Sequence, residues 1–250
     1  MKDIEDAHGH VILAYYNRER SFDVVEREDG YINIDEGATQ YFSDYKDWKR
    51  HEKEAIGYAK GRCIDLGCGA GRVMLYLQER GLYVLGIDTS PLGVKVCKLR
   101  GAKHVRVMDI SDLTALKGYR FDTVLMFGNN FGLLSSIWKA KKLLAKLHRI
   151  TSDSAVIIAE TREPYMTDNP VHFRYHAWNR KRGRMPGQLR IRIRFMQYST
   201  PWYDYLIVSK AEMKELLKGT GWQVKRFIDA DGFRQNGEYM AIIQKVKRQA

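Results

Sequence analysis

The chain has 250 residues, of which 44% are hydrophobic and 29% are charged, a composition typical of a soluble globular protein with a sizeable core. No stretch approaches the ~20 consecutive apolar residues of a membrane-spanning helix, which argues against an integral membrane protein. The net charge of +12 leaves nucleic acid, an acidic surface or an anionic small molecule open as partners.

The cysteines and the N-terminal residues indicate in which cellular compartment the protein is found. The segment MKDIEDAHGH is polar and acidic, unlike a secretory signal. The cysteines at 63, 68 and 97 are odd in number and lack the paired spacing of metal ligands, which favours free thiols in a reducing environment. We therefore expect a cytoplasmic protein with no bound metal.

Three elements are predicted before the first buried strand. Residues 1–20 carry apolar residues at helical spacing. Residues 22–34 are typical of a short hairpin that turns at Asp29–Gly30. Residues 39–60 carry an apolar stripe with a period close to 3.6, which predicts one helix.

The chain then alternates between short apolar runs and helical patterns. The runs cover 63–66, 83–88, 104–109, 121–127 and 155–160. The helical patterns cover 71–80, 90–100, 112–117 and 135–150. Continuous apolar strands that alternate with helices indicate an α/β fold whose parallel sheet is covered on both faces. Right-handed crossovers make this a doubly wound, Rossmann-like sheet with its binding crevice at the carboxyl ends of the strands.

An insertion interrupts this alternation before the last helix. Residues 161–200 are basic and aromatic, and LRIRIRF (189–195) alternates strictly between apolar residues and arginine, which predicts a half-buried strand paired with 203–209 in an antiparallel hairpin. A helix at 210–219 and strands at 222–229 and 238–246 bring the main sheet to seven strands. The chain is thus divided into an N-terminal cap, a cofactor-binding core, the insertion and a closing segment. These are predicted at 1–38, 39–160, 161–208 and 209–250.

The first strand runs into a glycine-rich turn, CIDLGCGAGR (63–72). The spacing is GxGxG, and a dinucleotide-binding GxGxxG motif would need glycine where Arg72 stands. Glycines here permit a tight turn and let backbone N–H groups and a helix N-terminus approach a ligand closely.

Acidic and polar residues follow the next three strands. Asp88, in LGIDTS, ends the second strand and suits the hydroxyls of a ribose, while Asp109 ends the third strand and suits an adenine amino group. The fourth strand continues into FGNNFG (127–132). An aspartate at a strand end can also simply cap the next helix. Here, however, glycines, acidic residues or polar residues follow each of the first four strands of the alternation, which favours a binding site.

In order and spacing, IDLGCGAGR, LGIDTS and VMDISDL resemble the motifs of class I S-adenosylmethionine-dependent methyltransferases, over residues 40–160 and at LLKGTGWQV (216–224). The resemblance implies S-adenosylmethionine as the cofactor. It implies that Asp65, Gly67 and Gly69 hold the methionyl end, Asp88 the ribose, Asp109 with Ile110 the adenine, and that Phe127, Gly128 and Asn129 lie beside the methyl group. Gly71 and Thr89 complete the predicted cofactor set.

The resemblance further implies that the methyl group is transferred to a nucleophile, which the protein holds in line with that methyl group. Positioning suffices for an amine or a carboxylate, whereas a phenol or alcohol needs a base. The catalytic candidates are Asn129, His172 and Tyr203. The Asn/Asp–Pro–Pro–aromatic motif of base-methylating enzymes is absent after the fourth strand, which favours a small-molecule substrate.

The insertion leaves three interpretations open. It is a lid over a small, anionic substrate, with Tyr41, Tyr175, Arg190 and Arg192 as binding residues. Alternatively, its arginines and aromatic residues track RNA, or it forms an interface in a homodimer. A non-enzymatic, cofactor-binding partner protein is a further alternative. We expect the first, an enzyme that methylates a nitrogen or oxygen of a small molecule.

Overall fold

The computed structural model describes residues 1–35 and 38–246. The strands are β1 (Asp23–Arg27), β2 (Ile32–Asp35), β3 (Cys63–Leu66), β4 (Val84–Asp88), β5 (Val105–Val107), β6 (Phe121–Met126), β7 (Thr151–Arg162), β8 (Gln188–Phe195), β9 (Tyr198–Ser199), β10 (Tyr203–Leu206), β11 (Trp222–Asp229) and β12 (Glu238–Lys245). The α-helices are α1 (Ala7–Tyr16), α2 (Thr39–Phe42), α3 (Arg50–Ile56), α4 (Arg72–Glu79), α5 (Pro91–Leu99), α6 (Ile137–Ile150), α7 (Pro170–Lys181), α8 (Lys210–Leu217) and α9 (Phe233–Asn236). Turns of 3₁₀ helix lie at Asp3–Glu5, Tyr45–Asp47, Ile110–Leu116 and Asn130–Leu134.

The larger sheet has seven strands in the order β11-β12-β7-β6-β3-β4-β5. β4 pairs with β5 and β6 with β7 in parallel, while β12 is antiparallel to both of its neighbours, β7 and β11. The chain proceeds from β3 to β4 and β5 in one direction and to β6 and β7 in the other, which is the doubly wound arrangement. The predicted fold class, a mostly parallel seven-stranded α/β sheet, is confirmed.

A smaller antiparallel sheet joins the N-terminal hairpin to the insertion. Its order is β10-β8-β1-β2, with β9 paired to β8. The predicted hairpin at 22–34 and the predicted strand at 189–195 are both present. The sequence did not predict that β1 and β8 pair, with Glu26 opposite Arg192 and Val24 opposite Arg194.

The described residues divide into two compact units. The first comprises Met1–Asp47, Asp65–Ile110 and Arg190–Asp204, and the second comprises Trp48–Ile64, Ser111–Leu189 and Tyr205–Ala250. In the first unit, α1 and α5 share an apolar cluster with residues of the neighbouring loops and of β8. Its buried members are Ala7, Val11, Ile12, Ala14, Ala38, Ala70, Val96 and Phe195. The four segments predicted from the sequence remain a prediction about domain organisation.

The single helix predicted over 39–60 is wrong. The chain forms α2, a 3₁₀ turn and α3 instead, because Ser43 and Lys49 adopt extended backbone that ends one helix and begins the next. The aromatic side chains of the stripe pack individually rather than as one helical face. Tyr45, for example, stacks on Tyr76 with 4.4 Å between ring centroids.

The insertion contains a helix that the sequence analysis missed. Helix α7 begins at Pro170 after Asn169, whose side chain accepts the backbone N–H of Val171 at 3.0 Å. An Asn cap followed by proline is a strong start signal for a helix, and Arg180 and Lys181 occupy its last turn. Among the described residues, no helix combines the length and apolar composition needed to cross a bilayer.

Candidate active site

Three glycines shape the turn between β3 and α4. Gly67, Gly69 and Gly71 all have positive φ angles, which L side chains rarely adopt. The backbone N–H of Gly67 donates to the carbonyl oxygen of Ile87 at 2.9 Å. A Cβ on Gly71 would lie 2.6 Å from the Sγ atom of Cys97. The alternating glycines of the sequence therefore follow from the backbone of this turn and its close packing.

Asp88, at the end of β4, is bound to the glycine turn. Its Oδ2 atom accepts the backbone N–H of Gly69 at 2.9 Å, and its Oδ1 atom accepts that of Ser90 at 2.9 Å. The side chain is half-buried. The sequence predicted the position of this carboxylate at the strand end but not its hydrogen bond to the turn, which holds the two cofactor motifs together.

Asp65 is a buried carboxyl group one strand away, with 3% of its surface exposed. Burial, opposed by the charge of Arg72 and assisted by that of Asp88, raises the pKa of Asp65 from 3.8 to about 7. A buried carboxylate of this kind has a strong need for a cationic partner. The amino group of a methionyl moiety is such a partner, so the side chain fits the role that the resemblance implies.

The predicted adenine side follows β5. Asp109 and Thr89 are exposed, while Ile110 is half-buried at the start of a 3₁₀ turn. The backbone N–H of Met108 donates to the carbonyl oxygen of Asp88 at 2.8 Å. This bond places the segment that carries Asp109 directly beside the end of β4.

Tyr41 covers the glycine turn. Its ring lies 3.7 Å from the position that a Cβ on Gly69 would take, and it meets His8 edge-on with 5.1 Å between ring centroids. The guanidinium of Arg100 donates to the carbonyl oxygens of Tyr41 (3.2 Å) and Ala70 (2.6 Å), which ties α2 to the turn. These contacts are compatible with a covering role for this segment.

In the second unit, the loop after β6 carries three predicted site residues. Phe127 is buried, and Gly128 and Asn129 both have positive φ angles. The backbone N–H of Gly128 donates to the Oε2 atom of Glu160 at 2.6 Å. The hydroxyl of Tyr205 donates to the carbonyl oxygen of Asn129 at 2.5 Å. The Oδ1 atom of Asn129 is buried and has no hydrogen-bond partner among the described residues.

A polar cluster that the sequence analysis missed adjoins this loop. One ligand atom from each of His51, Glu160 and Glu238 lies within 4.8 Å of the others, and all three side chains are buried. The carboxylate of Glu238 binds the Nζ atom of Lys49 at 2.5 Å and the guanidinium of Arg162 at 2.7 Å. These two cations compensate the negative charge of Glu238, which disfavours a divalent cation at this position.

The other predicted catalytic and substrate residues lie on separate elements. His172 is half-buried on α7, where Tyr175 is fully buried with its ring 5.7 Å from that of Trp178. In the first unit, burial raises the pKa of the Tyr203 phenol above its ordinary value, and the charge of Asp23 adds to this effect. A phenol held in its protonated form is a donor rather than a base at neutral pH.

The arginines of β8 form ion pairs within the smaller sheet. Arg190 lies 3.5 Å from Asp204, and both Arg192 (2.8 Å) and Arg194 (3.5 Å) bind Glu26. The hydrogen bond from Arg192 holds the pKa of Glu26 below its ordinary value. These acidic partners compensate the positive strip, which weakens the case for continuous phosphate tracking.

The sheet order and the glycine turn define a doubly wound α/β protein, a class that commonly binds nucleotide-like cofactors at the strand ends. A family model described as a methyltransferase domain matches residues 64–159, which include β3 to β7 and the motifs described above. Residues 64–159 thus match a methyltransferase domain, and they carry the motifs that resemble those of class I S-adenosylmethionine-dependent methyltransferases.

Individual relatives match to different extents. The 2-heptyl-1-hydroxyquinolin-4(1H)-one methyltransferase of Mycobacteroides abscessus is 35% identical over 75 residues, which are 28% of this chain and 33% of that protein. An S-adenosyl-L-methionine-dependent Diels-Alderase of Talaromyces variabilis is 26% identical over 169 residues, 58% of this chain and 54% of that protein. This chain thus spans about a third to about half of the length of these curated relatives.

One solved structure is similar over nearly its whole length. The structure of a SAM-dependent methyltransferase from Bacteroides fragilis, in complex with S-adenosyl-L-homocysteine, has a TM-score of 0.82 and 22% identity. The match covers 99% of this chain and 98% of that chain. At this identity the likeness shows the fold alone.

Proposed function

We propose that the protein transfers the methyl group of S-adenosylmethionine to a nitrogen or oxygen of a small molecule. The observation that carries this proposal is the glycine turn held by Asp88, with the buried Asp65 beside it. This donor and acceptor set suits an amino acid joined to a nucleoside. It belongs to the first unit, and the family match supports the same cofactor.

The chain's own residues bind and position the reactants. S-adenosylmethionine supplies an electrophilic methyl group when bound. Asp65 neutralises the methionyl amino group, and Asp88 accepts the ribose hydroxyls. In the second unit, the hydrogen bonds from Gly128 to Glu160 and from Tyr205 to Asn129 fix the loop that carries the remaining predicted cofactor residues. Holding two reactants in attack geometry can supply roughly 7–11 kcal/mol of the barrier.

A small-molecule substrate is favoured over RNA. The curated relative from Mycobacteroides abscessus is named for a hydroxylated quinolone, a small heteroaromatic acceptor. The arginines of β8, which a phosphate strip would need to be available, are paired with Glu26 and Asp204. Arg190 and Arg192 remain proposed contacts for an anionic substrate group, and His172, Tyr175 and Tyr203 remain proposed residues of the substrate side.

The test of the function is methyl transfer itself. Labelled S-adenosylmethionine is offered with small-metabolite, RNA and protein pools, and with 2-heptyl-1-hydroxyquinolin-4(1H)-one as a defined probe. We expect label in the small-metabolite pool. A protein that binds the cofactor but labels no pool would contradict the proposal and favour a cofactor-dependent activity without transfer, as the name of the Talaromyces relative describes for that protein.

Replacing Asp88 by alanine is expected to weaken the binding of S-adenosylhomocysteine about 5- to 150-fold. The variant removes the acceptor for the ribose hydroxyls and for the Gly69 N–H, and each buried donor left unpaired costs on the order of 1–3 kcal/mol. Isothermal titration calorimetry measures the change. Asp112→Ala, which removes an exposed acid beyond β5, is the matched control and should bind normally. If Asp88→Ala and the parent bound S-adenosylhomocysteine with equal affinity, Asp88 would not be a binding residue.

The affinity for S-adenosylhomocysteine is also expected to fall as the pH falls below about 7. The pKa of Asp65 is raised to about 7 in the free protein, so below this pH the carboxyl is protonated and must lose a proton before it can pair with an ammonium group. The dissociation constant should rise by up to about tenfold per pH unit. Calorimetry in buffers of different ionisation enthalpy should detect the released proton. A dissociation constant that stays flat between about pH 5.5 and about pH 8 would contradict this role.

A further inference from the structure

One face of helix α7, in the second unit, combines aromatic and basic side chains, and the proposed methyl transfer makes no use of it. At 3.6 residues per turn, its side chains fall within an arc of about 160° around the helix. All of them are exposed, including 49% of Phe173 and 40% of Trp178. This outer face of α7 consists of Phe173, Arg174, Ala177, Trp178, Arg180 and Lys181.

The opposite face of α7 packs against its own unit. Tyr175 and Asn179 are buried, and the side-chain amide of Asn179 donates to the carbonyl oxygen of Gln188 at 2.8 Å. Tyr175 lies about 200° around the helix from Phe173, and His172 belongs to the same packed side. The outer face is therefore separate from the two residues of α7 that are proposed for the substrate side.

The positive charge of the outer face is not compensated by the segment that carries it. Residues 170–203 contain no aspartate and no glutamate. Arg174 and Lys181 form no ion pair with any residue that the structure describes. By contrast, the arginines of β8, in the same basic segment, pair with Glu26 and Asp204. The fold thus neutralises the strand, whereas the helix presents its cations to an anionic partner.

Trp178 is held in a fixed position on this face. The guanidinium carbon of Arg182 lies 3.4 Å from the centroid of the Trp178 ring, and the ring of Tyr175 meets it edge-on at 5.7 Å. A side chain that is already ordered loses little further entropy when it inserts into a partner. Because a cation covers one face of the indole, less of the ring is available to stack on a base, while its exposed part can still enter a boundary between water and hydrocarbon.

We propose that the outer face of α7 binds the surface of an anionic lipid bilayer. Phe173 and Trp178 enter the boundary between headgroups and acyl chains, where aromatic side chains are favoured, and the three cations contact the lipid phosphates. The helix lies in the plane of the surface and does not span the bilayer. Its 12 residues are about 18 Å long, whereas the hydrocarbon core is about 30 Å thick.

Two other occupants suit this face less well. A second copy of the chain, docked through the same face about a two-fold axis, would bring the same cations together. Single-stranded RNA is bound in basic grooves lined by aromatic rings with free faces, whereas the outer side of a helix is convex. A lipid surface needs no groove, and it provides both an anionic layer and an apolar one.

Vesicle flotation of the full chain tests the electrostatic part of the proposal. The vesicles consist of phosphatidylcholine alone or of phosphatidylcholine mixed with phosphatidylglycerol. We expect the protein to float with the mixed vesicles only, and less so as the salt concentration rises. The double variant Arg174→Glu/Lys181→Glu should lower the partition coefficient at least about 25-fold, because each cation near an anionic surface contributes about fivefold. Lys141→Glu/Arg149→Glu makes the same change of net charge at exposed positions of α6, and it should remain within about threefold of the parent.

Two further variants test whether the aromatic side chains enter the bilayer. Phe173→Ser should lower the partition coefficient about 5- to 10-fold, since roughly half of the Phe173 ring is exposed and available for burial. Leu99→Ser is the matched control in the first unit, where the leucine is 55% exposed, and it should bind vesicles like the parent. The tryptophan fluorescence of the parent should shift to shorter wavelength on mixed vesicles. Trp178→Phe keeps an aromatic ring at this position and should abolish the shift.

Several results would overturn the lipid assignment. One is a parent protein that floats with neither kind of vesicle, and another is an equal loss of binding in the α6 and α7 charge variants. Binding of a polyuridine oligonucleotide that is lost in Arg174→Glu/Lys181→Glu, without vesicle binding by the parent, would assign the face to RNA instead. A dimer in sedimentation equilibrium that Phe173→Ser converts to a monomer would assign it to a second copy. These measurements need neither cofactor nor methyl acceptor, so their outcome is independent of the proposed methyl transfer.

Discussion

Replacing Gly71 by alanine is expected to lower the free energy of unfolding by about 3 kcal/mol. Gly71 has a φ of +85°. A residue that carries a Cβ destabilises the fold by roughly 1–2 kcal/mol when it adopts this left-handed backbone conformation. The added Cβ would also lie 2.6 Å from the Sγ atom of Cys97, which itself contacts the Sδ atom of Met74 at 3.5 Å. The buried sulfur cannot move without disturbing α4, and overpacking adds about 1–3 kcal/mol.

Gly81 provides a control that separates these two contributions. Its φ is +81°, almost the same, but a Cβ there meets nothing within 4 Å among the described residues. Gly81→Ala should therefore show only the backbone effect, about 1–2 kcal/mol. Urea unfolding of both variants measures the difference. Equal losses for Gly71→Ala and Gly81→Ala would mean that the packing against Cys97 contributes nothing.

Local sequence signals were sufficient for most of the main sheet. The run CIDL predicted β3 to the residue, because a strand buried on both faces is apolar throughout. Helix α8 is capped by Ser209, whose side chain accepts the N–H of Glu212 while the Glu212 carboxylate accepts the N–H of Ser209. Such caps act within four residues, so a single sequence contains all the information they need.

Contacts between distant segments were beyond sequence reasoning. His51 and Glu160 are 109 positions apart, and neither belongs to a motif. The split of the predicted helix at 39–60 has the same origin, since tertiary contacts of individual aromatic residues outweighed a helical period. The pairing of β1 with β8, which gives the arginines their acidic partners, likewise depends on register between segments 160 residues or more apart.

The cofactor motif was predictable in position but not in energetics. The spacing of Asp65 and Asp88 located both carboxyls at strand ends. The burial of one and the partial exposure of the other emerge only when the chain is folded. The resulting pKa of about 7 for Asp65 is a property of its surroundings, and it sets stability against cofactor binding at this residue.

Asp65→Asn is expected to give a protein that is more stable at neutral and alkaline pH and yet binds its cofactor poorly. In the unfolded chain an aspartate ionises near 3.8, whereas burial raises the pKa of folded Asp65 to about 7. Between these two values the unfolded state is ionised and the folded state is protonated, so stability falls as the pH rises through this window. The destabilisation caused by Asp65 is absent below about pH 3.8 and complete above about pH 7. Between these values it grows by about 1.4 kcal/mol per pH unit.

The uncharged amide removes this dependence. Relative to the parent, the stability of Asp65→Asn should therefore increase by about 2–3 kcal/mol between about pH 5 and about pH 8, as measured by urea unfolding. The affinity for S-adenosylhomocysteine should fall about 10- to 150-fold, because a charge-assisted contact to the methionyl amino group contributes about 1.5–3 kcal/mol. Asp88→Asn, at a half-buried carboxyl, should lose affinity without this gain. If the stability difference between Asp65→Asn and the parent did not change with pH, the buried carboxylate would not be strained, and its proposed need for a cationic partner would lose its physical basis.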